Sequence, residues 1–312
     1  MIPYISTKDM SRTEWLAARR NGIGGSDAAA IMGQSKWSSP LTVYMDKRGL
    51  AKEKPDNEAM RQGRDCEEVV AARFTEETGL RVRRCYRMFR HPDYPWMLAN
   101  IDRQVMVGGG HFVGLECKTT SPFNRTGFDD GDIPPEYYWQ CMHYMAVTCA
   151  PCWYLAVMVF STGFHVFRVD RDETAIERLI TAERDFWVDS VLTGTMPAPI
   201  GIDSEDAAIE SLSGTARYSG PIDVSDMHAA FDTLALYERD ALALVEKINA
   251  IKQSIKLRMG ACERASCGRW EVSYRDQERK SIDSKRLRSE QPALYQQYVK
   301  TSTSRVLKIT EA

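Results

Sequence analysis

Phe112-Val113-Gly114-Leu115-Glu116-Cys117-Lys118, with Ile101-Asp102 lying fourteen residues ahead of Glu116-Cys117-Lys118, decides how this chain folds. Gly108-Gly109-Gly110 lies between the two stretches, and a glycine cluster between strand-like runs signals a hairpin. Strand periodicity sets Phe112, Gly114, Glu116 and Lys118 on one face, and Val113, Leu115 and Cys117 on the other. A carboxylate and an ammonium two residues apart, next to an aspartate on the partner strand, suit phosphodiester hydrolysis. Two carboxylates can hold a hard divalent cation through oxygen, while the lysine steers or deprotonates the attacking water. The same residues also occur as an ordinary cross-strand ion pair, so the rest of the chain has to decide.

Outward from this hairpin the pattern is mixed. Arg12 to Arg20 carries Trp15, Leu16 and Arg19 at helical spacing. Asn21-Gly22-Ile23-Gly24-Gly25 breaks it, and Ser26 is placed to cap a second helix from Asp27 through Met32. Residues 58–79 predict a strong helix stopped by Gly79. Strands are predicted at 81–90, 96–107 and 112–118, then a helix at 136–147, strands near 153–160 and 163–169, and a helix over 172–193. Hairpins flanked by helices predict an α/β fold of the α+β kind, with a mixed sheet rather than a doubly wound one. Pro197, Pro199 and the polar run from Gly201 to Gly220 mark a boundary. The organisation read from this is a core over 1–200, a linker over 201–220 and an appendage over 221–312.

In the appendage, Leu234, Tyr237, Ala241, Leu244, Ile248, Ile251 and Ile255 recur in alternating steps of three and four, a heptad seam ended by Gly260. An apolar stripe of that length must bury against something. The expected cover is the core or the chain's own C-terminal segments: strands at Trp270–Tyr274 and Ser304–Ile309, and helices at Ser281–Arg288 and Pro292–Val299.

Hydrophobic content of 43% and charged content of 27% are those of a soluble globular protein. The longest apolar run, Trp153 to Phe160, falls far short of the ~18 residues a membrane span needs. Met1-Ile2-Pro3-Tyr4 lacks the layout of a signal peptide, so the reading is a cytoplasmic protein. The net charge of −2 is unevenly spread: Lys and Arg against Asp and Glu number 19 to 15 over residues 1–120, 6 to 15 over 121–220, and 16 to 13 over 221–312. The outer thirds can therefore offer the local basic surface that phosphates need. Eight cysteines read as reduced and mostly buried. Cys149-Ala150-Pro151-Cys152 has redox or zinc spacing, but it follows a helix and precedes a strand, which is a tight turn without thiolate stabilisation. A zinc site shared with Cys262 and Cys267 is disfavoured by their loose spacing.

Several further stretches line up with the hairpin. Trp15-x-x-x-Arg19 runs into Gly24-Gly25-Ser26-Asp27, then come Gly63-Arg64-Asp65-Cys66-Glu67, Ala99-Asn100-Ile101-Asp102 and Gly114-Leu115-Glu116-Cys117-Lys118. Tyr138-Trp139-Gln140-Cys141-Met142-His143-Tyr144-Met145 closes the series. In this order they resemble the lambda-type phage exonucleases, grouped with the YqaJ-like viral recombinases in the PD-(D/E)xK nuclease superfamily, over about half the chain. Ile101 stands where the superfamily has a proline. The resemblance implies a restriction-endonuclease-like core and a Mg2+ ion, replaceable by Mn2+, held by Asp102, Glu116 and the carbonyl of Cys117. It implies that Glu67 supports a second metal or a water, that Lys118 and Gln140 handle water and scissile phosphate, and that Arg19 and Ser26 hold a 5′-phosphate. It further implies a phage- or prophage-encoded 5′-to-3′ exonuclease on double-stranded DNA ends, acting in the bacterial cytoplasm. Such an enzyme leaves a 3′ strand for a single-strand annealing protein and assembles as a ring-shaped homotrimer.

Physical grounds stand beside the resemblance. Glu67 shares its helix with Val70, Ala71 and Phe74 at core-facing spacing, so its carboxylate can turn inward, where acids are rare unless paired or metal-bound. The alternative is an exposed glutamate beside Glu68. Gln140 and Tyr144, one turn apart, share a face that lines a cleft or edges an aromatic core helix. Gly24-Gly25-Ser26 ahead of a helix offers amides and a hydroxyl to a terminal phosphate that Arg19 could clamp, although the local sequence alone favours an ordinary helix start. Arg81, Arg83, Arg84, Arg87 and Arg90, with Tyr144, could follow a DNA backbone, or the arginines could be a solvated strand edge. The rival within enzymes is a structure-specific or restriction-type endonuclease, which needs no DNA end. A non-catalytic DNA-binding module is disfavoured by the intact Asp102, Glu116 and Lys118.

Overall fold

The chain forms two units, Met1–Tyr218 and Ser219–Ala312, in a computed structural model that describes residues 2–51, 57–108, 112–128, 131–212, 220–301 and 307–309. The first unit opens with β1 (Tyr4–Ser6), α1 (Arg12–Arg20), β2 (Ile23–Gly24), α2 (Gly25–Ile31), α3 (Pro40–Lys47) and α4 (Glu58–Thr78). It continues with β3 (Val82–Arg84), β4 (Arg87–Arg90), β5 (Met97–Asn100), β6 (Arg103–Val105) and β7 (Val113–Thr120). It closes with α5 (Pro135–Thr148), β8 (Cys152–Val159), β9 (Gly163–Asp170), α6 (Glu173–Asp185) and α7 (Asp203–Leu212). Local chemistry sets several ends. A capping box between Ser11 and Glu14 opens α1, Asn57 caps α4, and Gly79 at φ +71° stops α4.

The larger sheet has the order β3-β6-β7-β8-β9, with β7 and β8 parallel through α5 and its other pairs antiparallel. This is the mixed sheet expected of the sequence, and the hairpin pairs Arg103 with Leu115 and Val105 with Val113. Its turn, 109–111, lies outside the described residues. Val113 and Leu115 join Val70, Ala71 and Phe74 of α4 in one apolar cluster. On the opposite face Glu116 and Lys118 turn toward α5, whose Met142 and Met145 cluster with Trp153, Leu155 and Val157 of β8. One strand thus buries apolar side chains on one face and presents charge from the other. Gly114 is required by this packing. A Cβ there would sit 2.0 Å from Cζ2 of Trp153, its cross-strand neighbour.

The strands expected over 81–90 and 96–107 are each interrupted. β3 pairs with β6 in the larger sheet, whereas β4 pairs with β5 in the smaller one, ordered β1-β4-β5-β2. Arg84 faces Arg103 and Met88 faces Asn100, so residues 85–87 span on one strand what only 101 and 102 span on the other. This is in effect a bulge, an extra residue that bends a ribbon and re-aims its side chains. No glycine or proline marks it, so the pattern reads as continuous.

Other differences have local causes. Ser26 does not cap α2: the helix starts at Gly25, and the amide of Gly24 is taken by Asp27. The helix expected over 172–193 widens into a π-helix over Phe186–Leu192. The front of the run read as a linker folds as α7, because Glu205 is buried and accepts from the amides of Ile200, Gly201 and Ile202. Ala208 then packs on the cluster of Leu41, Tyr44 and Trp187.

The second unit holds α8 (His228–Met259), the hairpin of β10 (Arg264–Cys267) and β11 (Trp270–Ser273), α9 (Ser284–Glu290) and α10 (Pro292–Tyr298). The heptad helix forms and ends at Gly260. Within the second unit no cover for it is found among the described residues: Tyr237 is 65% and Ile251 62% exposed, and only Met259 of α8 is buried. Alpha periodicity tells which face is apolar, not what covers it. Of the strand expected over Ser304–Ile309, residues 304–306 lie outside the described residues and 307–309 are not in a strand. No described helix is long and apolar enough to cross a membrane.

Candidate active site

Asp102 stands between β5 and β6, where the chain passes from one sheet to the other, and its Oδ2 accepts the amide of Cys117 at 2.8 Å. That bond ties the aspartate to the strand carrying Glu116 and Lys118. Oε1 of the buried Glu116 receives Lys118 Nζ at 2.7 Å and Gln140 Nε2 at 2.7 Å, and Gln140 Nε2 also lies 2.8 Å from Tyr144 Oη. Oε2 of Glu116 is buried with no partner. The structure therefore brings together Asp102, Glu116, Lys118 and Gln140 from three elements.

The electrostatics are those of a site short of positive charge. Burial, with the Glu116 and Glu67 carboxylates, pushes Asp102 well above the usual carboxylate range. Burial alone would depress Lys118, but Glu116 and Asp102 outweigh it and hold the ammonium more firmly protonated than usual. A cation would satisfy the orphaned oxygen of Glu116 and relieve the acid pair. Asp102, Glu116 and the main-chain carbonyl of Cys117 are all oxygen donors, the chemistry of a hard ion such as Mg2+. Among the described residues no three His, Cys, Asp or Glu side chains form a ready-made cage. Such an ion would keep several waters, as magnesium commonly does.

Arg103 is the residue that sequence reasoning missed. Its side chain is 3% exposed; Nη1 bonds the Glu67 carboxylate and the Asp102 carbonyl (2.8 Å), and Nη2 bonds Glu68 at 2.9 Å. Glu67 does turn toward Asp102, but a guanidinium already engages it. The available signal was an arginine at an inward strand position, which has to be paired. A cleft of about 340 Å³ opens at the break in the ribbon, with Trp15, Arg64, Glu67, Tyr86, Asp102 and Arg103 on its walls. A neighbouring cleft of about 350 Å³ shares Arg84, Cys85 and Tyr86 and adds Lys8, Arg83 and Arg87.

The expected phosphate seat lies at the start of α2. Arg19 donates from Nη2 to Ser26 Oγ, and its guanidinium sits 5.4 Å from the Trp15 ring centroid. Asp27 takes the Gly24 amide at 2.9 Å, and its Oδ2 pairs with the buried Nζ of Lys47 at 2.7 Å. Burial would raise the Asp27 carboxyl, but Lys47 and Arg19 outweigh it and hold it low. Gly25 lets this seat approach the acid pair: a Cβ there would meet Tyr144 Cε1 at 2.6 Å and Gln140 Cγ at 3.1 Å. Seat and carboxylates thus share α5 as a wall.

Tyr144 needs correction. Only 4% exposed, on a helix buried from Trp139 to Thr148, it holds Gln140 and offers no surface to a DNA backbone. Arg83, Arg84 and Arg87 are exposed, bonded to Gln104, bonded to Glu68 and stacked over the Tyr4 ring respectively. Cys149 and Cys152 lie in the turn from α5 to β8, and all eight cysteines are free thiols.

The model of the YqaJ-like viral recombinase domain matches residues 14–151. The uncharacterized protein YqaJ of Bacillus subtilis (strain 168) is 33% identical over 311 residues, covering 97% of this chain and 95% of that one. Among solved structures, the alkaline exonuclease LHK-Exo of Laribacter hongkongensis is similar at 23% identity and TM-score 0.48, over 59% of this chain and 94% of that one. A phage-related exonuclease of Haemophilus somnus 129PT is similar at 14% identity and TM-score 0.42, over 55% and 96%.

Proposed function

Since the chain belongs to the family of the YqaJ-like viral recombinase domain, we propose that it is a magnesium-dependent deoxyribonuclease that digests double-stranded DNA from its ends, 5′ to 3′. The observation that carries this reading is the buried Glu116 carboxylate, with one oxygen held by Lys118 and Gln140 and the other without a partner. Asp102, Glu116 and the Cys117 carbonyl would hold the ion, Mn2+ substituting for Mg2+. When bound, the ion supplies Lewis acidity and a readily ionised water. Lys118, as an ammonium, orients that water and faces the charge developing on the phosphate. It can act as a base only when the carboxylates beside it are neutralised. Gln140 fixes Glu116, and Arg103 fixes Glu67 against the Asp102 main chain. Arg19, Ser26 and the amides opening α2 take the terminal 5′-phosphate, which sets polarity. The reading extends to a ring-shaped homotrimer around the duplex and a single-strand annealing protein that receives the 3′ strand.

Linear duplex and covalently closed circles, incubated with Mg2+ or with EDTA, test it. Magnesium-dependent loss of the linear form with circles intact is expected, and a 5′-end label should be released before a 3′-end label. Cut circles would make the protein an endonuclease. Binding of both forms without cleavage would make it a DNA-binding module.

A further inference from the structure

We propose that α8 pairs with α8 of a second copy of this chain, the two helices running antiparallel. This rests on the second unit alone and is independent of the nuclease reading. The helix has 32 residues, about 48 Å of rise. Leu234, Ala241, Ile248 and Ile255 occupy one heptad core position and Tyr237, Leu244 and Ile251 the other, and Tyr237, Leu244, Ile248, Ile251 and Ile255 are exposed. A stripe of this length that its own unit leaves uncovered exceeds what a folded surface ordinarily shows to water. Periodic spacing over more than three heptads is the pattern that helix pairing requires.

The flanking charges choose both occupant and direction. Glu238, Val245 and Lys252 border the seam on one side; Asp240, Lys247 and Ser254 border it on the other. Acid lies toward the N-terminal half and base toward the C-terminal half, so the helix complements its own reverse. Two parallel copies would set Lys247 against Lys252 of the other copy, twice by symmetry, with no attractive pair in return. The same contact recurs in any parallel bundle. Antiparallel copies set Glu238 against Lys252, twice, with Val245 meeting itself on the dyad; Lys247 meeting itself is the one repulsive contact. In the core, Tyr237 then faces Ile255, Ala241 faces Ile251, and Leu244 faces Ile248, so each layer joins two apolar side chains and the small Ala241 is filled by an isoleucine.

Light scattering and sedimentation of the full chain from about 1 to 50 μM, comparing wild type with variants, test this whether or not the first unit also assembles. Ile248→Asp should lower the assembled mass by about half, with helical circular dichroism retained. Glu238→Lys should weaken association by about tenfold, since two attractive contacts become repulsive. Adding Lys252→Glu to Glu238→Lys should restore it. These two positions are exposed, so the swap remains informative even where Ile248→Asp disturbs folding. Three outcomes would overturn the proposal: wild type showing no self-association, seam and charge variants keeping the wild-type mass, or Lys252→Glu alone strengthening association as parallel pairing requires.

Discussion

Phe74, Leu115 and Trp153 of the first unit are wholly enclosed, while Leu244, Ile248 and Ile251 of the second, no less apolar, face solvent. The difference is one of topology. The first three sit where α4, the sheet and α5 close over one another; the others lie along a helix with no neighbouring layer among the described residues of its own unit. A closed layer fixes side chains to within a rotamer, which a catalytic constellation needs. An open stripe leaves burial energy to be released on association. The first unit is thus built for chemistry and the second for company.

The strongest test of that division is at the acid pair. Asp102→Ala, Glu116→Ala and Lys118→Ala should each lower turnover with magnesium by about a thousandfold or more while DNA binding persists. Near-normal turnover in any one would remove that residue from the site. Next in size, Gly114→Ala should destabilise the first unit by about 2–3 kcal/mol in denaturant melts, because the new methyl meets the Trp153 indole. An unchanged midpoint would mean that the layer is looser than its packing implies. Arg19→Ala should slow digestion of 5′-phosphorylated ends about tenfold more than that of 5′-hydroxyl ends; equal slowing assigns Arg19 to the fold.

A smaller effect runs the other way. The Asp102 carboxyl is raised above its ordinary 3.8, so the folded protein keeps a proton that the unfolded chain gives up. Stability is then lost as pH rises above the unfolded value, and the charge is a cost at neutral pH. Asp102→Asn in EDTA should therefore raise the melting temperature by roughly 2–4 °C at pH 7, fading toward pH 4. A lowered melting temperature would show that the hydrogen bond to Cys117 outweighs desolvation. Least of all should change when the chain ends at Tyr218: turnover per site should stay within about twofold, since every proposed catalytic group precedes that point. Ending it at Ile200 would strip α7 from the cluster around Tyr44 and cost stability.

What the sequence made legible was local. The two faces of β7, the glycine stop of α4 and the turn at Cys149 follow from spacings of a few residues, whereas Asp102, expected within a strand over 96–107, stands in the break between β5 and β6. The rest depended on distant partners. Arg103 is explained only by Glu67 and Glu68, more than thirty residues earlier. Lys47 is buried only because Asp27 meets it from another helix. The ribbon break depends on how two strands count against each other, which neither strand shows alone.

That count has a consequence for how such a chain can change. Alternate residues of a strand point to opposite faces, so losing one residue between Arg84 and Met88 would equalise the two strands and let pairing run through Ile101 and Asp102. The aspartate would then be drawn into a regular ladder and away from Cys117. Substitutions at 85–87 leave that arithmetic alone, whereas a single-codon deletion does not. At this point of the molecule the register rests on a length, whichever side chains fill it.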